Sequence, residues 1–171
     1  MTDSEFREVF HNNKDHLFRY AYRMTGSRAT SEDVVQECFL ALWRRSSAYD
    51  SGRGPMRAYL FGIARNLLLK RLRDERPHEA LEADTFISPP IDFLEMERAD
   101  AIAQAVQSLP VLQREALTLA EYEEMSMEEI ANATLVDVGV VKSRLHRARV
   151  NLRRTLAPLL EETKGNLHGI K

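Results

Sequence analysis

The chain has 171 residues, 44% hydrophobic and 29% charged, with seven glycines, six prolines and one cysteine. That length and composition suit one domain or two small ones with a real core, and they exclude a collagenous, low-complexity or disulfide-stapled chain. No apolar run can span a bilayer and residues 1–10 hold no apolar signal segment, so the expected setting is soluble, reducing and cytoplasmic, with no membrane segment of its own.

The apolar positions Phe6, Val9, Phe10, Leu17, Tyr20, Ala21 and Met24 are mostly three and four apart and make one helical stripe. Thr25-Gly26-Ser27 ends that helix, with Gly26 as a left-handed cap. Thr30, with Asp33 three residues on, is expected to cap a second helix that runs to about Arg45 with Val35, Cys38, Phe39 and Leu42 inward. Residues 46–55 read as a loop, and Pro55 opens a third helix with the stripe Met56, Leu60, Ile63, Ala64 and Leu67, continuing to about Glu75. Residues 77–97 have no period, contain Pro89 and Pro90, and read as an acidic, mobile linker.

Four more helices follow. Ala99 to Gln107 is stopped by Ser108-Leu109-Pro110, and Val111 to about Glu123 is the next. Ser126 and Glu129 form a capping box for a short helix to Ala133. Asp137 is expected to cap a long basic helix from Val138 to about Leu156. No stretch alternates with period two long enough for a sheet. The fold class is all-α: two small helical domains, 1–76 and 98–171, joined by a flexible linker at 77–97.

The net charge of −2 hides a sorted pattern. Residues 53–76 carry +5, residues 77–132 carry −11 and residues 142–154 carry +6. Two basic blocks around an acidic one suggest polyanion contacts; two solvated helix faces beside an acidic linker are the alternative. Residues 126–154 sharpen the choice, because they read as helix-turn-helix. In the second helix Val138, Val141, Leu145, Ala148 and Leu152 make the buried stripe, and Lys142, Arg144, Arg147, Arg149, Arg153 and Arg154 occupy the remaining surface. Such a helix fits the ~12 Å major groove with its N-terminal residues at the base edges; a basic amphipathic helix packed on a partner protein or an anionic membrane is the alternative.

Two motifs then carry a specific resemblance. Leu109-Pro110, Gln113-Arg114-Glu115-Ala116-Leu117, Ser126-Met127-Glu128-Glu129-Ile130-Ala131 and Val141-Lys142-Ser143-Arg144-Leu145-His146-Arg147-Ala148-Arg149 resemble the fourth conserved region of bacterial sigma-70-type sigma factors. Glu32-Asp33-Val34-Val35-Gln36-Glu37, Leu42-Trp43-Arg44 and Leu60-Phe61-Gly62-Ile63-Ala64-Arg65-Asn66 are similar to the second region. The two-domain form, over about residues 4–76 and 98–158, resembles the extracytoplasmic-function (ECF) subgroup. The chain departs from that family in the turn, where Leu135 stands for a usual Gly, at Val140 for a usual Thr, and at Thr134 for a usual core aliphatic.

The resemblance implies a transcription initiation factor that is not an enzyme and has no cofactor. It would bind core RNA polymerase at its clamp and flap regions and direct it to promoters, often under control of an anti-sigma factor. It implies minus-35 duplex reading by Lys142, Ser143, His146 and Arg147, with Arg144 and Arg149 on phosphates. It implies capture of the opened minus-10 strand by Asp50, Arg53, Arg57, Tyr59, Phe61, Arg65, Asn66, Lys70, Arg71 and Arg73, with the loop from Ala48 to Gly54 as a pocket for an extruded base. Tyr59 and Phe61 are equally candidates for the core. Gly62 and Ile63 stand where housekeeping members carry a tryptophan pair. Asp33, Gln36, Glu37, Leu40, Trp43 and Arg44 would face the polymerase, with core burial the alternative for Trp43. A helix-turn-helix regulator acting without polymerase is the competing function. Cys38 reads as a buried small hydrophobe. The five histidines match no zinc spacing, and no phosphate-loop glycine pattern is present.

Overall fold

The computed structural model describes residues 1–75, 86–91 and 96–161. Most of the 77–97 linker and the tail from 162 lie outside the described residues. Helix α1 is Asp3–Thr25, opened by a Thr2–Glu5 capping box and closed by Gly26 at φ 69°, whose N–H donates to the Tyr22 carbonyl. That left-handed turn is the one predicted. Helix α2, Arg28–Arg44, starts earlier than expected. Its N-cap is Ser27, not Thr30, and the Ser27 side chain accepts from the Thr30 N–H. The extended backbone of Ser27 directly after Gly26 leaves no room for a longer loop, so the helix begins at once.

Helix α3, Met56–Glu75, follows two short 3-10 turns at Ser46–Ala48 and Ser51–Arg53. Its buried residues are Ala58, Leu60, Phe61, Ala64, Leu68 and Leu69, a wider set than the single stripe predicted. A helix covered on more than one side buries residues all around. That is the case here: α3 packs on α1, on α2 and also on α6.

The second half contains α4 (Arg98–Ser108), α5 (Val111–Leu117), α6 (Met127–Thr134) and α7 (Val138–Thr155). The predicted helix Val111 to Glu123 is α5 followed by a π turn at Thr118–Tyr122, in which the Glu123 N–H reaches back five residues to the Thr118 carbonyl. The capping box at Ser126 and Glu129 forms as predicted. Asp137 takes the N-cap position of α7, but its side chain makes no capping hydrogen bond. Buried Thr134 meets its hydroxyl's need by donating to the Ile130 carbonyl at 2.7 Å.

The halves are separated by the linker and pack against each other. One core runs from Leu17, Tyr20, Leu42, Phe61 and Leu68 into Leu119, Met125, Ile130, Ala133 and Val141 of the second half. A smaller core holds Val106, Leu109, Ala116, Leu117, Leu145 and Ala148, with Phe86 of the linker against it. Ser88 donates to the Thr155 hydroxyl at 3.1 Å, which ties residues 86–91 to α7. No described helix is long and apolar enough to cross a membrane.

Leu135 closes α6 at φ 56° with 79% of its surface exposed. A left-handed leucine is strained by about 1–2 kcal/mol, and glycine is free there. The greater unfolded-state entropy of glycine takes back about 0.4–1 kcal/mol. Leu135→Gly should therefore stabilise by several tenths to about 1 kcal/mol. A thermal melt followed by circular dichroism should shift up by about 1–4 °C; a downward shift would show that the leucine side chain holds the turn.

Candidate nucleic-acid interface

Helix α7 buries Val141, Leu145, Ala148 and Thr155, which leaves Lys142, Ser143, His146 and Arg147 exposed on its outer side. The two residues expected on phosphates are placed differently. Arg149 is engaged by Glu121, with Nε 3.0 Å from Oε1. Arg144 is half-buried, and its charge acts on Glu115.

The surface expected to hold the minus-10 strand is divided. Arg53, Asn66, Lys70 and Arg73 are exposed. Asp50 caps its own turn, accepting from the Gly52 N–H at 2.9 Å, and Tyr49 donates to the Gly54 carbonyl at 3.1 Å. Tyr49 and half-buried Tyr59 lie with ring centroids 5.5 Å apart. Together with Arg53 and Asn66 they line a cavity of about 590 Å³. Asn132, Leu135 and Asp137, from α6 and the turn before α7, close its far side.

Phe61 does not belong to this surface. It is 1% exposed and packs edge-on against Tyr20 at 5.2 Å. The α3 position that faces α1 must be filled from the core, so the ring serves packing and not a base. Arg57, Arg65 and Arg71 are each drawn into ion pairs within the chain. Arg71 spans Asp33, at 3.4 Å, and Glu37, which links two residues expected on the polymerase to one expected on DNA.

On α2, Gln36 and Arg44 are exposed, as are Leu40 at 43% and Trp43 at 51%. Trp43 rests one edge on Phe6, at 4.9 Å. A tryptophan half in water beside an exposed leucine is an unfilled apolar patch and not core.

The residues that sequence reasoning missed are Glu115 and Glu123. Glu115, on α5, is 1% exposed. Its Oε1 lies 2.8 Å from Arg65 Nε and accepts from the Tyr20 hydroxyl at 3.3 Å. Burial pushes the Glu115 carboxyl above the usual carboxylate range, outweighing the opposing pull of Arg65, and burial beside Glu115 raises the Tyr20 phenol. Glu123, just after the π turn, is also 1% exposed. Its Oε2 stands 2.7 Å from His16 Nδ1 and 3.3 Å from Arg57 Nη2, and Arg57 donates to its carbonyl as well. The −11 block was the one signal for these contacts. Glu115 meets Arg65 of α3, and Glu123 meets Arg57 of α3 with His16 and Arg23 of α1, while Glu121 of the same block pairs with Arg149 of α7. Cys38 is buried, donates to the Leu60 carbonyl and has its thiol pushed up to about 12 by burial.

Truncating Phe61 tests its reassignment. Phe61→Ala should cost about 3–5 kcal/mol of stability, the range for a buried aromatic, read by chemical denaturation. A loss below about 1 kcal/mol, with weaker binding of single-stranded DNA, would return the ring to the DNA surface.

Residues 9–78 match the family model for sigma-70 region 2, and residues 99–152 match that for sigma-70 region 4. The chain is 34% identical over 148 residues to the ECF RNA polymerase sigma factor SigL of Mycobacterium tuberculosis, covering 84% of each. It is 28% identical over 169 residues to the ECF RNA polymerase sigma factor SigW of Bacillus subtilis, covering 90% of each. Among solved structures it is similar to the sigma factor RpoE of Bartonella quintana, in complex with the anti-sigma factor NepR. That likeness has a TM-score of 0.71 and 23% identity, over 90% of this chain and 97% of that one. With both conserved regions in order and a relative this similar over most of its length, the chain belongs to the ECF subgroup of the sigma-70 family of RNA polymerase sigma factors.

Proposed function

We propose that this sigma factor binds core RNA polymerase through α2 and reads promoters through α7 and α3, with residues 1–76 and 98–171 as the working units and 77–97 as the linker. The carrying observation is the separation of three surfaces with different chemistry. The α2 face presents Leu40 and Trp43, 43% and 51% exposed, beside Gln36 and Arg44, which suits a protein partner such as the polymerase clamp. The outer side of α7 presents Lys142, Ser143, His146 and Arg147 above an apolar stripe, which suits the major groove of a minus-35 duplex. The loop cavity with Tyr49, Tyr59 and Asn66 suits a base of the minus-10 strand, with Arg53, Lys70 and Arg73 for its backbone. A regulator acting without polymerase has no use for the α2 patch.

The similar sigma factor RpoE was solved in complex with an anti-sigma factor, and we extend a partner of that class to this chain. The core test is transcription from a promoter library by purified core polymerase with and without the chain. Promoter-selective transcripts that need the chain support the reading; tight duplex binding with no polymerase association would favour the stand-alone regulator. Trp43→Ala should weaken association with core polymerase by tenfold or more, the scale of a hot-spot aromatic, while leaving helix content unchanged by circular dichroism.

Base and phosphate roles on α7 separate by geometry. Lys142 and Arg147 are five residues apart, roughly 140° around the helix, so they reach different edges of the groove. Arg147→Ala should lose discrimination at one or two minus-35 positions, by ~1–3 kcal/mol each. Arg149→Ala should weaken all promoters alike and lower the salt slope by about one. A library of single-base minus-35 variants reads both; a uniform loss for Arg147→Ala would move that residue to the phosphates.

A further inference from the structure

One exposed apolar residue at the start of α7 has no part in the reading so far. Val140 stands in the first turn of that helix with 39% of its surface exposed. At 100° per residue it lies roughly 20° from Arg147 and roughly 60° from Ser143 around the helix axis. The three residues therefore form one strip that begins at the N-terminus of α7. Ser143 and Arg147 are exposed, while Val141, Leu145 and Ala148 of the same helix are buried, so the strip faces away from the core.

The chemistry of this first turn differs from that of the basic helix behind it. The Val140 side chain offers methyl groups only, and its backbone N–H already donates to the Asp137 carbonyl at 3.0 Å. Asp137 is exposed and its side chain caps nothing, so its carboxylate opposes the positive end of the helix dipole. Neither residue is suited to hold a phosphate. Gly139 lies between them in the chain, and a Cβ added there would meet nothing within 4 Å. No neighbouring segment shields that side of the turn. The N-terminal residues of a groove-reading helix are the ones that reach base edges. On those edges the one methyl group is that of thymine, at C5.

We infer that Val140 is a specificity-determining residue of α7, and that it packs on the C5-methyl group of one thymine in the minus-35 duplex. The inference rests on the proposed reading of α7 as the minus-35 reader. Such a contact takes apolar surface of both partners out of water and needs no hydrogen bond. It selects thymine over cytosine, which has hydrogen in place of that methyl group. Hydrogen-bonding readout is then left to the polar residues of the outer side, Lys142, Ser143, His146 and Arg147.

The test uses the full chain with core polymerase, on the promoter that the library selects best. Each thymine of its minus-35 element, on either strand, is replaced in turn by deoxyuridine. That change removes the methyl group and keeps every hydrogen-bonding group of the base. At one thymine, holoenzyme binding should fall by about fourfold, the scale of one buried methyl group. Val140→Ala should bind the unmodified promoter more weakly than the parent chain does, and should lose nothing further when that thymine is replaced. Val150 is the control. It is 38% exposed on the same helix, and ten residues put it about 15 Å further along the axis. Val150→Ala should keep the parent's response to deoxyuridine. Both changes place alanine, the best helix former, at exposed helical positions, so the fold is preserved.

A minus-35 element that has no A·T pair, or that tolerates every deoxyuridine, overturns the inference. So does a response that survives in Val140→Ala, because the methyl group then acts on another residue or on the shape of the duplex. A response abolished by Val150→Ala as well overturns it too, as a general effect of losing an exposed valine. A parent chain that directs polymerase to no promoter fails the proposed function itself, which separates the two failures.

Discussion

The docking of the two halves depends on how two buried carboxylates are compensated. Taking a carboxylate out of water costs several kcal/mol even after relaxation, and a nearby cation returns this in full only with good geometry and further hydrogen bonds. Glu115 has a close arginine and a tyrosine hydroxyl on one oxygen and nothing on the other. Glu123 has a histidine and an arginine on one oxygen, while the other faces Arg23 at 3.8 Å. Each unpaired oxygen costs about 1–3 kcal/mol. The polar part of the interface therefore sets which residues must meet, and the apolar part drives the meeting. Leu119, Met125, Ile130, Ala133 and Val141 lose water only by joining the α1–α3 core, and buried apolar area is the largest favourable contribution available.

The local irregularities of the second half all serve that contact. The π turn at Thr118–Tyr122 turns Glu123 inward and leaves Glu121 outward to meet Arg149. Glu124 follows at φ 51°, so the chain reverses there and brings Met125 into the shared core. Leu135 reverses it again and presents α6 between two left-handed positions. Backbone strain of this kind persists only where surrounding structure holds it in place, and here the surroundings are α1 and α3. Gly62 is the matching feature on the other side. An added Cβ there would meet the Ala133 carbonyl oxygen at 3.4 Å, so α6 lies directly against α3 at this point.

Which features were legible in the sequence follows from what is periodic. The stripes of α1 and α7, the left-handed Gly26 and the Ser126–Glu129 box are each written several times over, in residues a few positions apart. The exposed residues of α7 followed directly from its stripe. Contacts between the halves are written once, in single residues far apart in the chain, and leave no period. Glu115 and Glu123 look like solvated acids, and Arg57 and Arg65 like free cations, until the fold brings them together over 50 and 66 residues of separation. Phe61 was ambiguous for a related reason. A helix packed on several sides has apolar residues all around, and a single-stripe reading assigns some of them to the surface. Ser27 was passed over for Thr30 because both residue types cap helices and only the backbone after Gly26 distinguishes them.

The pairing of cations with carboxylates of the same chain bears on how a near-neutral chain presents basic surfaces. A cation in solution that meets DNA releases a counterion, and that release drives binding at low salt. A cation already held by a carboxylate of the same chain has its charge balanced there, so it neutralises a phosphate, and displaces an ion condensed on the DNA, only at the cost of that pair. Arg57, Arg65, Arg71 and Arg149 are all in that condition, whereas Arg53, Lys70, Arg73 and Lys142 are exposed. Steering towards DNA thus falls to the exposed set. Net charge alone, at −2, carries no trace of this division, because it counts the paired and the exposed cations alike.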